Sequence, residues 1–328
     1  MSDRLCQNCL VSKRGQGPGL LVRTSLQLLL GIIAAATVTL PARANLIISP
    51  TFAANITSDS NAATIEGTIN AAVAVYESDF TDPITVHVTF QEGGGLGSSN
   101  VFFTNISYAA YLAALTADAK TSDDAIALAH LPTAAQFLTF FGTANISVNT
   151  ADEGAVGIAN SQNRDGTITL NTSIMNLSRT GPQDASKYDL MAVVSHEINE
   201  VLGLGSALPS PPSGNPFPED LFRYDNSGGR SYNATSGATA NFSVDGTTII
   251  VPFHNTNDGA DYGDWQNSTT VRVQDAFGTP GAQPNLGVEL RALDVIGYDL
   301  AQASVPEPAT LALLVLGLAG LGFSRRKQ

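Results

Sequence analysis

The chain has 328 residues, 43% of them hydrophobic, enough to bury the core of one large domain or two subdomains. Between residues 45 and 304, eight Lys and Arg stand against 27 Asp and Glu, which excludes nucleic acid and anionic membrane surfaces as expected partners of the folded part. The only cysteines, Cys6 and Cys9, have the spacing of half a zinc knuckle or a redox pair, but they fall in a leader expected to be removed, so disulfides, thiol catalysis and thiolate metal sites are excluded from the mature domain.

In chain order, the first feature is the apolar run from Ser25 to Leu40, preceded by Lys13, Arg14 and Arg23 and followed by Ala42-Arg43-Ala44. This is the pattern of a signal peptide over residues 1–44 with an A-x-A cleavage site, so the mature protein is expected to start near Asn45. A helix is predicted from Asp59 to Ser78 by its capping residues and apolar spacing, and a strand from Ile84 to Phe90 by alternation, with His87 as an ordinary strand histidine. Gly93 to Gly97 reads as a turn. Short helices are expected at Tyr108 to Ala119 and at Asp123 to His130, the latter stopped by Pro132 and placing His130 at a helix C-terminus. Strands Asn145 to Asn149 and Thr167 to Asn171 lead to a helix beginning near Lys187. Pro209, Pro211, Pro212, Pro216 and Pro218 then make a stiff connector, the expected subdomain crossing at about 206–218. Beyond it, short strands are expected at Asn241 to Val244 and Thr247 to Pro252, and a last helix at Val288 to Val295, ended by Gly297.

The helix after Lys187 carries His196-Glu197-Ile198-Asn199-Glu200-Val201-Leu202-Gly203, an HExxE variant of the HExxH zinc helix. At about 100° per residue, Leu190, Val194, Ile198, Val201 and Leu202 form one apolar stripe, while Asp189, His196 and Glu200 fall opposite. His196 and Glu200, one turn apart, are therefore candidate ligands of one Zn²⁺, with Glu197 beside them as candidate general base. An ordinary solvated helix presents the same pattern. Gly203 stands where the metzincin pattern HExxHxxGxxH leaves its helix, and the third-ligand position after it is Ser206, a poor zinc ligand. His254, Asp225 and Tyr224 are the candidates to replace it, His254 first. Asp258, Asp261 and Asp264 offer a second cation expectation, a Ca²⁺ loop, without EF-hand spacing.

The C-terminus reads Val305-Pro306-Glu307-Pro308, an apolar run from Ala309 to Phe323, and then Ser324-Arg325-Arg326-Lys327. It resembles the PEP-CTERM sorting signal of Gram-negative bacteria, over about residues 304–328. The resemblance implies export through the inner membrane, transient membrane anchoring by this short segment, exosortase as a partner, and a final place at the cell surface or outside. With HEINEVLG, DLFRY from Asp220 to Tyr224, DYGDW from Asp261 to Trp265 and LDVIGY from Leu293 to Tyr298, residues 45–303 resemble a family of metzincin-like metalloproteases found on such exported proteins. That implies an α+β, zincin-like fold: an N-terminal mixed sheet with helices and the active helix, then an irregular C-terminal subdomain ending in a helix. It also implies a zinc-dependent endopeptidase acting on protein or peptide. The chain departs from the pattern in having no methionine after Met191, so the Met-turn has no methionine. The alternatives are a catalytically inactive protease-fold protein of the surface or biofilm matrix and, ranked last, a glycan-active enzyme with paired carboxylates.

Overall fold

The computed structural model describes residues 45–159, 164–209, 214–235 and 237–301; the expected signal peptide and sorting segment lie outside these. The fold is α+β. Strands β1 (Ile47–Phe52), β2 (Thr85–Glu92) and β6 (Gly166–Leu170) are parallel to their neighbours, and β3 (Gly97–Val101) runs antiparallel to β6, in the order β1-β2-β6-β3. In β2 the side chains alternate as expected, with Val86, Val88 and Phe90 buried. A separate antiparallel pair joins β4 (Phe103–Ser107) to β5 (Asn145–Asn149).

Two helices pack on the main sheet. Helix α1 (Ala62–Asp79) buries Ile65, Ile69, Ala72, Val73 and Tyr76, one stripe at helical spacing, in the same core as the inner residues of the sheet. Helices α2 (Tyr108–Asp118), α3 (Ser122–His130), α4 (Ala134–Phe141) and α5 (Thr150–Ala155) occupy the connection between β4 and β6, with β5 between α4 and α5. His130 closes α3 as expected, its Nδ1 2.8 Å from the Ile126 carbonyl. Helix α6 (Leu190–Leu202) is the HExxE helix, and its predicted stripe is fully buried. It crosses β6 at Gly166, where a Cβ would stand 2.6 Å from Val201 Cγ2, so glycine is what allows helix and strand to approach.

The second half is irregular: strands β9 (Arg223–Tyr224), β10 (Asn241–Phe242) and β11 (Val251–Pro252) form a small antiparallel sheet, and helix α7 (Val288–Ile296) follows a long run of turns. The β7 (Met175–Asn176) and β8 (Tyr188–Asp189) pair precedes α6. Buried Phe222, Phe242, Phe253 and Trp265 pack ring against ring to give this half its core. The end of the described chain is then stitched back to the connection between α1 and β2. Phe80 bridges to Leu300, Thr81 N–H donates to the Asp299 carbonyl at 2.8 Å, and Ala301 N–H donates to the Asp79 carbonyl at 2.7 Å.

Several expectations are corrected. Helix α6 starts at Leu190 rather than near Lys187, and Asp189 is its N-cap, accepting from Ala192 N–H at 3.0 Å and paired with Arg179, while it lines the same cleft as His196 and Glu200. The turn or loop expected over Gly93 to Gly97 is observed over residues 93–96, and strand β3, not among the expected elements, begins at Gly97. The strand expected over Thr247 to Pro252 is confined to its last two residues, because Asp245 Oδ1 accepts from Thr247 N–H and Thr248 N–H and folds the chain into a turn there.

Candidate metal centre

Helix α6 ends at Gly203, whose φ of +127° suits only glycine and turns the chain out after Leu202. The next residues are held by the DLFRY segment. Asp220 accepts from Ser206 Oγ and from Ala207 N–H (3.0 Å), and Glu219 accepts from Gly205 N–H at 2.5 Å. Ser206 is thus committed to Asp220. What comes to the vacant side is the DYGDW loop. A Cβ at Gly263 would stand 2.5 Å from Gly205 Cα, so the two backbones touch, and that contact delivers Asp264 to the helix. Buried Arg223 fixes the same loop, donating to the Tyr262 carbonyl and to Asn255 Oδ1 while lying over the Phe253 ring. Trp265 Nε1 donates to buried Glu289 on α7, and Tyr298 donates to the Leu202 carbonyl at 2.8 Å. The four motifs therefore converge on the C-terminal end of one helix.

His196 Nε2 lies 3.5 Å from both Glu200 Oε1 and Asp264 Oδ1, and among the described residues these three form one group able to hold an ion. His196 Nδ1 donates to the Val273 carbonyl at 3.0 Å, which fixes the ring and aims Nε2 at the two carboxylates. Glu200 Oε2 accepts from Ser99 Oγ of β3 at 2.6 Å, and Asp264 Oδ1 accepts from Gln274 Nε2 at 2.9 Å. Glu197 is 4% exposed and its Oε2 has no hydrogen-bonding partner among the described residues. Gly97 of β3 presses on it: a Cβ there would meet Glu197 Oε1 and stand 2.7 Å from Val193 Cγ1.

Proton sharing organises this crowd of charge. Burial opposes a charged His196, but Asp264 and Glu200 overcome it and raise its pKa well above the ordinary value. Burial and the neighbouring Glu200 push Glu197 up to about 9, and burial carries Asp264 up to about 7. Glu200 is lowered: burial works against it, and the hydrogen bond and charge of His196 prevail. One imidazole among close carboxylates leaves negative charge that only protons or a cation can balance.

The centre lies on the floor of a cleft of about 270 Å³ between β3, with Leu96 to Ser99, and a wall from Val271 to Pro284. Of the sequence candidates, the structure brings His196, Glu197 and Glu200 together. It does not bring His254, whose Nε2 is 2.8 Å from Asp258 and which lines a different hollow with Asn255 and Phe277. Its backbone reaches the neighbourhood, His254 N–H donating to the Asp264 carbonyl, but its ring points away. Asp225 caps its own turn through Ser227 and Gly229, and Tyr224 packs under Arg230. The three aspartates of the suggested Ca²⁺ loop do not all converge: Asp258 pairs with His254, whereas Asp261 lines the same cleft as Asp264, beside Glu200.

Residues 304–327 match the model of the PEP-CTERM protein-sorting motif. No curated protein and no solved structure matches the chain. The motif marks an exported protein that is transiently anchored in the membrane and then processed by an exosortase. The expected anchor over 309–323 lies outside the described residues, among which no helix is long and apolar enough to cross a membrane.

Proposed function

We propose that this protein is an exported zinc-dependent endopeptidase, with His196, Glu200 and Asp264 as metal ligands and Glu197 as general base. The observation that carries the reading is the donor spacing. Donors about 2.1 Å from a tetrahedral zinc lie about 3.4 Å from one another, and His196 Nε2 stands 3.5 Å from each carboxylate oxygen. One imidazole with two carboxylates suits Zn²⁺ better than Ca²⁺ or Mg²⁺, which favour all-oxygen sets. Further support comes from the layout of an α+β fold with β3 at the sheet edge beside α6, the arrangement expected of a zincin.

Bound zinc would supply Lewis acidity and a more acidic water. The chain's own residues do the rest. Glu197, whose Oε2 has no hydrogen-bonding partner among the described residues, would accept a proton from the attacking water and return it to the departing amine. The outer edge of β3 faces the cleft, so an extended peptide can add to it as a further strand. Val193, Tyr188 and Val271 give the cleft an apolar side for one substrate side chain.

The non-catalytic surface protein remains the second reading because two anionic ligands weaken a zinc ion as a Lewis acid. Glu197→Gln separates the two: the variant is expected to bind one equivalent of Zn²⁺ like wild type and to lose at least about a hundredfold in chelator-sensitive cleavage of a denatured protein substrate. A wild-type protein that binds zinc but cleaves nothing supports the second reading.

A further inference from the structure

Gln274 is 1% exposed and stands behind the donor set, its amide nitrogen 2.9 Å from Asp264 Oδ1 and 3.3 Å from His196 Nε2. Its main chain is pinned on both sides: its N–H donates to Glu289 Oε1 and its carbonyl accepts from Trp265 N–H. Only the sense of the amide is free. Gln274 Oε1 accepts from Asn199 Nδ2 at 2.8 Å, and the Tyr76 hydroxyl lies 2.7 Å from both Asn199 Oδ1 and the Ser195 carbonyl.

A phenol carries one proton and cannot satisfy both acceptors. The relay therefore has two self-consistent directions. In the first, Tyr76 donates to Asn199, Asn199 to Gln274, and Gln274 to Asp264, so an N–H end faces the site. In the second, Tyr76 donates to Ser195, Asn199 Nδ2 donates to the phenol oxygen, Gln274 Nε2 donates to Asn199 Oδ1, and Gln274 Oε1 faces the site. The first direction needs a free lone pair on Asp264 Oδ1, the acceptor 2.9 Å from the Gln274 amide nitrogen. A cation bound by Asp264 and His196 would take up that lone pair, repel the N–H dipole and attract the amide oxygen.

We infer that Gln274 is a further metal ligand: when a divalent cation binds, the Tyr76–Asn199–Gln274 relay reverses and presents Gln274 Oε1 as a neutral oxygen donor. The inference rests on the proposed metal centre. Spacings of 2.9 and 3.3 Å from two of its donors put the amide terminus where a neighbouring ligand atom belongs. The neutral donor would expand the shell from four ligands, water included, to five, without adding charge to a site that already holds two carboxylates.

Co²⁺ is the probe, titrated into the metal-free folded protein with chelator competition and d–d absorption as readouts. Gln274→Leu is expected to weaken Co²⁺ binding by roughly tenfold or more and to change the d–d band shape and intensity. Gln274→Glu keeps an oxygen donor and has no N–H, and is expected to retain tight binding. A Gln274→Leu variant with the wild-type d–d spectrum overturns the inference whatever its affinity, because Gln274 then acts only through Asp264. If Gln274→Leu does not fold, loss of Co²⁺ binding in folded Gln274→Glu overturns it instead. Failure of wild type to bind Co²⁺ sinks the metal centre and Gln274 with it, whereas wild-type binding with an unchanged Gln274→Leu spectrum sinks Gln274 alone.

Discussion

Gly205 and Gly263 touch backbone to backbone, and that contact decides where Asp264 stands. A methyl group at Gly263 meets main-chain atoms that cannot swing aside, so Gly263→Ala must lift the loop away from α6. The expected result is a fall in zinc affinity of at least about tenfold, read by chelator competition, in a protein that still unfolds cooperatively. Affinity equal to wild type would show that Asp264 is held by Gln274 and Trp265 alone. At this scale the sequence yields His196, Glu197 and Glu200, because one helical turn fixes their separation. Asp264 was not legible as their partner: it comes from 64 residues beyond Glu200, and a contact between two glycines leaves no periodic trace. Its quoted motif, DYGDW, was the available signal, read as a cation loop of its own. Gln274 gave no signal, since a lone glutamine between Val273 and Asp275 looks like surface.

Among the elements, those with an inward stripe were readable and those without one were not. Helices α1, α6 and α7 announce themselves by apolar spacing, and β2 by alternation. Strand β3 reads Gly-Ser-Ser-Asn-Val and has no buried residue, because it lies at the sheet edge over the polar floor of the cleft. Hydrophobic periodicity is silent for such a strand although it forms one wall of the candidate site. Beside its aromatic core, the second half is fastened by buried polar groups, with Arg223 fully inside between the acidic pair Glu219 and Asp220 and the Tyr262 carbonyl. Replacing Arg223 by Met removes the cation and strands its acidic neighbours. The expected cost is about 3–5 kcal/mol of stability, measured by denaturant unfolding. A loss below about 1 kcal/mol, the scale of an exposed ion pair, would mean the ring packing around Phe253 holds the loop unaided.

For the whole molecule, the acidic excess is not confined to the surface. Burial raises Asp82 to about 7, Asp294 to about 7 and Asp118 to about 6, all away from the candidate metal centre, and pushes fully buried Asp152 well above its ordinary range. Each binds its proton more tightly folded than unfolded, so its contribution to stability is complete below about pH 4 and is lost as pH rises through the folded value. The metal-free protein is accordingly expected to melt at a lower temperature at pH 7.5 than at pH 5. Scanning calorimetry across that window checks it, and a midpoint that climbs with pH would contradict it.

The stitching of residues 299–301 onto Asp79 to Asp82 has a consequence for processing. The last of these bonds belongs to Ala301, and the matched sorting motif begins at residue 304. Two residues separate a closed seam from the segment that an exosortase handles. Severing the tail at or beyond the motif leaves every bond of the seam behind, so the last described residues stay pinned to the connection between α1 and β2.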